Sequence, residues 1–489
     1  MDTDVRPRAP HGPCVMNHVD GPPMNDAKRS ACMSATARKG RSGPRARRRV
    51  DEPVALRSVG RFFPTAWLPA LGLLVACGRR PPCPAGDLAP IEGAPAFAVV
   101  LSDYASSAVA LLDAEGRVLT EAWLDSGTRA TGIAQGLGGD VVLPAPFVPG
   151  ALGVLERYNR DVLTIAALDG TSVVQIDVRG DDEGMRSGAS TNPQDVLAID
   201  EDHVLVSRFN PALGPDIGPL ARGNDIALVG LAEGRVTGRI ELGGDVALPA
   251  EGTSPTATAF GRPAAMSMLQ LGALRRVVVG LARLTAGFDR TGPGAVALLD
   301  PDARMAVGLV DLSPLTGCTS VGAVPDAPAQ ALVLCSGDAF ADDDRRRGTS
   351  GLARLTLEAD GAVVVGPIWR ASEHGSEPTP SSGMVPLGGA RALVVADPRG
   401  ASDPLAGRDV LVEIDLEGGR SATIFEAEDA FVLGQGAFDP PTGMALVPDA
   451  AARRVHRVAS RGGSTVLLDA VVLPTCRTLP PRQVARLTP

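Results

Sequence analysis

From residue 95 onward the apolar positions come in runs of four to eight residues, rich in Val, Leu, Ile and Ala and split by Gly, Asp and Pro. Long segments with a 3.6-residue period are missing, so the pattern predicts strands and turns. One unit recurs: an apolar run, a turn of Asp, Glu and Gly, then a second apolar run. It is centred near Gly116, Gly170, Gly234, Asp302, Gly361, Gly419 and Gly463. The mean spacing is about 58 residues, above the ~40–50 of common propeller repeats, so these units should carry insertions. A second hairpin precedes most of them, as where Pro193–Val196 leads to His203–Val206 and Pro263 leads to Val277–Val279. Two hairpins make a four-stranded sheet, and seven such sheets predict an all-β, seven-bladed β-propeller over 95–478. Six or eight blades, or a tandem of β-sandwiches, satisfy the same pattern.

The N-terminal part reads as an address. Residues 1–50 are basic and without apolar periodicity, a disordered extension; a start near Val54 or Val59 would leave them untranslated. Residues 51–76 have the form of a signal peptide: Arg57 and Arg61 precede the apolar stretch Phe62–Ala76, which is short for a membrane span. Leu74-Val75-Ala76-Cys77 closes that stretch and resembles the lipobox of bacterial lipoproteins. The resemblance implies acylation of Cys77, a lipidated linker over 77–94, and residence in the cell envelope, in the outer membrane. The strand texture of the body resembles the YVTN- and NHL-like propeller lipoproteins. The YVTN tetrapeptide itself is absent, and Val206-Ser207-Arg208 is its nearest counterpart. Residues 479–489 read as a C-terminal tail.

Charge and cysteines bear on partners. Thirteen basic and six acidic residues precede Cys77, so cleavage there takes the formal charge from −9 to −16. A body this acidic repels nucleic acid, and its membrane link must come from acyl chains. Cys83, Cys318, Cys335 and Cys476 remain as candidates for disulfides. Cys318 and Cys335 are symmetric about a turn at Pro325–Pro328, which places them across a strand pair. Cys83–Cys476 would join the two ends of the mature chain.

With strands numbered outward from the axis, the 1–2 and 3–4 turns are short. Five 2–3 connections read as long: Pro144–Arg160, Ser207–Asn224, Arg283–Gly294, Ser336–Ser350 and Asp397–Gly407. All five would crowd one face, which is where a rigid scaffold carries recognition. Asp195, Arg208, Arg283, Asp397 and Asp449 flank inner strands and are the candidates for the mouth of that face. Mixed Arg and Asp suit a protein or a polar ligand. Asp342, Asp343 and Asp344 could hold calcium, but the register of a calcium loop is missing and Arg345–Arg347 compensate the charge. No cofactor is expected. HExxH, GxSxG and P-loop signatures are absent, and His203 and His456 sit in strand-like runs as structural residues. The leading expectation is a membrane-anchored binding or scaffolding module. The alternatives are a hydrolase- or lactonase-like propeller enzyme with an axial metal, and a structural surface-layer component.

Overall fold

The computed structural model describes Leu88 and residues 90–487, apart from 145–146, 181–189, 213–216, 252–254, 375–377, 398–406 and 474–477. Its strands form seven antiparallel meanders. Taken from inner to outer strand, sheet 1 holds Pro481–Arg486, Phe97–Ser102, Ser107–Leu112 and Val118–Asp125. Sheet 2 holds Val141–Val142, Ala151–Glu156, Val162–Ala167 and Val173–Asp177, and sheet 3 holds Pro193–Ala198, His203–Arg208, Asp225–Gly230 and Arg235–Ile240. Sheet 4 holds Pro263–Leu271, Leu274–Leu281, Pro293–Asp300 and Met305–Thr316. Sheet 5 holds Cys318–Val324, Ala327–Ser336, Ser350–Leu357 and Val363–Arg370. Sheet 6 holds Thr379–Gly388, Arg391–Asp397, Val410–Asp415 and Arg420–Glu426. Sheet 7 holds Ala437–Asp439, Met444–Asp449, Arg454–Arg461 and Ser464–Leu467, with Val471–Val472 as a further strand.

The core explains why the second and third strands are continuously apolar. Phe97–Ser102, Ser107–Leu112 and Asp225–Gly230 are buried at every position. Alternate residues of each strand enter different cores, one on either side of the sheet. Ala98 and Val100 pack with Leu152 and Val154 of sheet 2, whereas Phe97 and Val99 pack with Leu446 and Val455 of sheet 7. The same sharing recurs between sheets 2 and 3, 3 and 4, 4 and 5, 5 and 6, and 6 and 7. Successive sheets touch all the way round, and the inner strand of sheet 7 contacts that of sheet 1. Shared cores in cyclic order make a β-propeller-like fold, not a stack of sandwiches.

All seven Gly/Asp hairpins expected from the sequence are turns between third and fourth strands. Most turn on a left-handed residue, such as Gly116 at φ 80° and Gly361 at φ 85°, while the Asp302 turn uses Arg304 at φ 54°. Cys318 and Cys335 face each other in register and are joined by a disulfide. Cys77, Cys83 and Cys476 lie outside the described residues.

Two expectations need correction. Residues 479–489 are not a tail: Pro481–Arg486 pairs with Phe97–Leu101 as the inner strand of sheet 1. Val484, Ala485 and Leu487 are buried there, apolar spacing that is too short to stand out in a sequence. Pro144–Arg160 is not a 2–3 connection, because it contains the strand Ala151–Glu156. Its longer part, 143–150, joins the first two strands of sheet 2 at the opposite end. The one-sided elaboration survives this change. At the 2–3 end lie 282–292, 337–349 and the described parts of 209–224, together with connections between sheets, among them 126–140, 427–436 and the described parts of 178–192 and 241–262, while most of the expected loop Asp397–Gly407 lies outside the described residues. A small sheet of Val246–Leu248, Ala257–Phe260 and Leu284–Thr285 is built from these segments.

Candidate functional site

The rim of long connections is tied down by buried polar groups. Asp161 and Asp409 stand just before the third strands of sheets 2 and 6 and capture the connection that follows each sheet. Asp161 accepts from Thr191 N (2.6 Å) and Ser190 Oγ (2.6 Å). Asp409 accepts from the backbone N–H groups of Phe431 (2.9 Å), Val432 (2.6 Å) and Leu433 (2.8 Å). Burial lifts both carboxyl groups above the usual carboxylate range despite these bonds. Arg262 anchors the far side. Its guanidinium lies 4.0 Å from the Phe288 ring centroid and 5.3 Å from that of Phe209, and it donates to the carbonyls of Leu284 and Thr285. Burial brings its pKa down to about 10.

The five residues expected at the mouth do not converge on one surface. Arg208 is fully buried in a two-bonded ion pair with Asp225 (2.7 and 2.8 Å) and also donates to the Arg179 carbonyl. Arg283 is buried, at φ 47°, donating to the carbonyls of Gly244 and Pro293. Asp449 is buried against His456, with Nε2 3.1 Å from its Oδ2. Burial acts to raise the Asp449 pKa, but the bonds from His456 and Ala452 N outweigh it and hold the carboxyl below its ordinary value. Asp397 has Arg346 at 3.9 Å. These four are internal fasteners. A sequence does not distinguish a polar residue that closes a buried network from one that meets a ligand. The Asp342–Asp344 triplet starts helix α1, Asp343–Thr349: Asp342 caps it by accepting from Arg345 N, and the next two acids lie in its first turn. Among the described residues no group of three His, Cys, Asp or Glu is placed to hold a metal ion.

Asp195 differs from the other four. It lies on the inner strand of sheet 3 and accepts from Met266 N (2.7 Å) on the inner strand of sheet 4. Gln483 makes the corresponding bridge from sheet 1 to sheet 2, taking Leu143 N and giving to Leu143 O, both at 2.8 Å. The settings are alike in sequence, Pro193-Gln194-Asp195-Val196 and Pro481-Arg482-Gln483-Val484. A carboxylate cannot give the second bond, and burial pushes the Asp195 pKa up to about 7. The folded state therefore holds this proton longer than the unfolded chain, whose value is near 3.8. Its contribution to stability falls as pH rises from about 4 to about 7. Asp195→Asn should flatten that slope, leaving the variant more stable than the parent at pH 8 by roughly 1–3 kcal/mol. Urea unfolding at pH 5 and pH 8 checks this; an equal difference at both pH values would contradict it.

One cavity of about 240 Å³ opens among the rim connections. Its walls come from both ends of the chain: Ser102 and Tyr104, Gly139–Val142, Arg157, Phe431–Gln435, and Arg482 with Gln483. Arg157 is engaged by Asp140 (2.7 Å) and Gln194 (3.0 Å). Gln435 bridges to Met384 as Gln483 does to Leu143. Arg482 donates through Nε to Ser102 O (3.1 Å) and lies 4.9 Å from the Tyr104 ring centroid. Of these walls only Arg157 falls within a connection that the sequence marks as long, Pro144–Arg160. One signal was available there: Asn159-Arg160-Asp161-Val162 and Gly407-Arg408-Asp409-Val410 repeat a motif that marks the rim anchors.

No protein-family model matches the chain, and no curated protein matches it. Among solved structures it is similar to a periplasmic gluconolactonase of Pseudomonas aeruginosa (14% identity, TM-score 0.48, 81% of this chain and 99% of that one). It is also similar to a protein from Lactobacillus plantarum (12%, 0.49, 81% and 99%). A third is hydrazine synthase of Kuenenia stuttgartiensis (12%, 0.43, 74% and 95%). With TM-scores below 0.5 these likenesses lend the chain no activity, and its propeller-like build rests on its own sheet order and shared cores.

Proposed function

We propose that this protein is a lipid-anchored component of the bacterial envelope whose propeller-like body is a binding module, with recognition on the rim of long connections. The observation that carries the reading is one-sidedness. Four of the seven second-to-third-strand connections and most of the links between sheets, all at one end, are long, and Asp161, Asp409 and Arg262 fasten segments there, while the connections at the other end are almost all tight hairpins. Loops held by buried polar anchors present a defined surface at low ordering cost on binding. The cavity at Arg482 lies within that rim. The acyl anchor at Cys77 rests on the lipobox resemblance alone.

The reading is tested by amide-exchange footprinting of the full chain with and without an envelope extract from the same cell type. Protection should appear in 126–140, 209–224, 337–349 and 427–436. Protection confined to the hairpins 231–234, 301–304, 358–362 and 416–419 would contradict it. Cys77→Ser should move the protein from the membrane to the soluble fraction, and unchanged fractionation would remove the anchor from the proposal.

A further inference from the structure

The geometry points to the Arg482 cavity as a site for a small organic carboxylate with a flat apolar body. The carboxylate would sit on the guanidinium, and the body would lie against Tyr104 and Phe431.

Three observations carry this. First, Arg482 is the cavity's one uncompensated cation among the described residues. Its Nε is used by Ser102 O and its π-face contact is Tyr104, while its Nη groups meet no partner among the described residues. Arg157, the other guanidinium in the lining, is already neutralised by Asp140. An arginine held by Nε and by a ring is oriented, and its remaining N–H fork fits the two oxygens of a carboxylate. Second, two large apolar residues line the same cavity in the open, Tyr104 at 49% and Phe431 at 38% exposure. Both have left-handed backbones, φ 65° and 59°. Bulky side chains occupy that region at a cost of ~1–3 kcal/mol and do so where the surroundings dictate it, often at ligand clamps. Here Ser102 Oγ accepts from Tyr104 N and Asp409 accepts from Phe431 N. Third, the volume is below the ~300–1,000 Å³ of pockets for drug-sized ligands, which restricts the occupant to a small molecule.

The amide groups of Gln435 and Gln483 are committed to Met384 and Leu143. The ligand therefore has one charged recognition point, and discrimination rests on charge plus a flat face. This inference deepens the rim-binding reading and rests on it for biological meaning, but it is tested separately.

The probes are benzoate and its neutral isostere benzamide, titrated calorimetrically into the full chain. Benzoate should bind saturably, with benzamide at least tenfold weaker. Arg482→Gln should weaken benzoate at least tenfold with an unchanged urea midpoint, and Tyr104→Ala should weaken it several-fold. Arg304→Gln, in a hairpin at the opposite end, should leave it unchanged. The benzoate–benzamide comparison needs no variant, so it decides the matter even if Arg482→Gln fails to fold. Absence of saturable benzoate binding, equal binding of benzamide, or full binding by folded Arg482→Gln would overturn the inference. A rim footprint from the envelope extract without benzoate binding would sink only the ligand class. A footprint on the hairpin end with Arg482-dependent benzoate binding would sink only the wider reading.

Discussion

Truncation after Pro480 should abolish cooperative folding. The lost segment is the inner strand of sheet 1, paired with Phe97–Leu101. Val484, Ala485 and Leu487 leave the cores shared with sheets 7 and 2, and Gln483 no longer bridges to Leu143. Burial of a Val or Leu side chain contributes ~1.5–3 kcal/mol each. The larger loss is the unpaired edge opened along Phe97–Ser102, a strand buried at every position, in a ring that otherwise leaves only short, protected edges. A domain of ordinary stability has only ~5–15 kcal/mol in all. The truncated chain should show no sigmoidal urea transition. Val484→Asp, which places a carboxylate in the same core, should cost about 3–5 kcal/mol yet leave a transition to measure. A truncated chain unfolding within about 1 kcal/mol of the parent would refute strand closure.

The second large effect is expected at the buried pair Arg208–Asp225. Both side chains are fully enclosed and joined by two bonds, and Arg239 adds a third contact to Asp225 at 2.8 Å. Asp225→Ala leaves the Arg208 guanidinium enclosed and uncompensated, at a cost of about 3–5 kcal/mol. Arg208→Met strands the carboxylate with only Arg239 and should cost a comparable amount. The double variant Arg208→Met/Asp225→Leu removes both charges and should cost far less than the sum of the two single changes. Urea unfolding of the four proteins gives the cycle directly. Single changes below about 1 kcal/mol would mean that the pair is not held as described.

These two cases show what was legible in the sequence. The strand–turn rhythm was, because each third-to-fourth-strand hairpin needs a residue that tolerates a left-handed backbone, and Gly or Asp marks it. The cross-strand cysteines were legible for the same local reason, since a hairpin fixes register. Closure by 481–486 was not, because a strand of six residues pairs with one nearly four hundred positions away. Arg208, Arg283 and Asp449 were misjudged for a different reason. Their partners are Asp225, the Gly244 carbonyl and His456, and nothing in the sequence says that those groups meet. The cavity was illegible on both counts, since residues 102–104 and 482–483 share it only once the ring is closed.

Closure thus ties the fold to the proposed site: the strand that completes the ring also brings Arg482 to the rim cavity. Native-state hydrogen exchange over peptides covering 97–102 and 481–487 tests this most directly. The closed ring predicts that both segments exchange together, at the free energy of global unfolding and with the same denaturant dependence. Exchange of 481–487 through a lower-energy opening, with 97–102 still protected, would show a strand that is only laid against the body, and the Arg482 cavity would lose its wall.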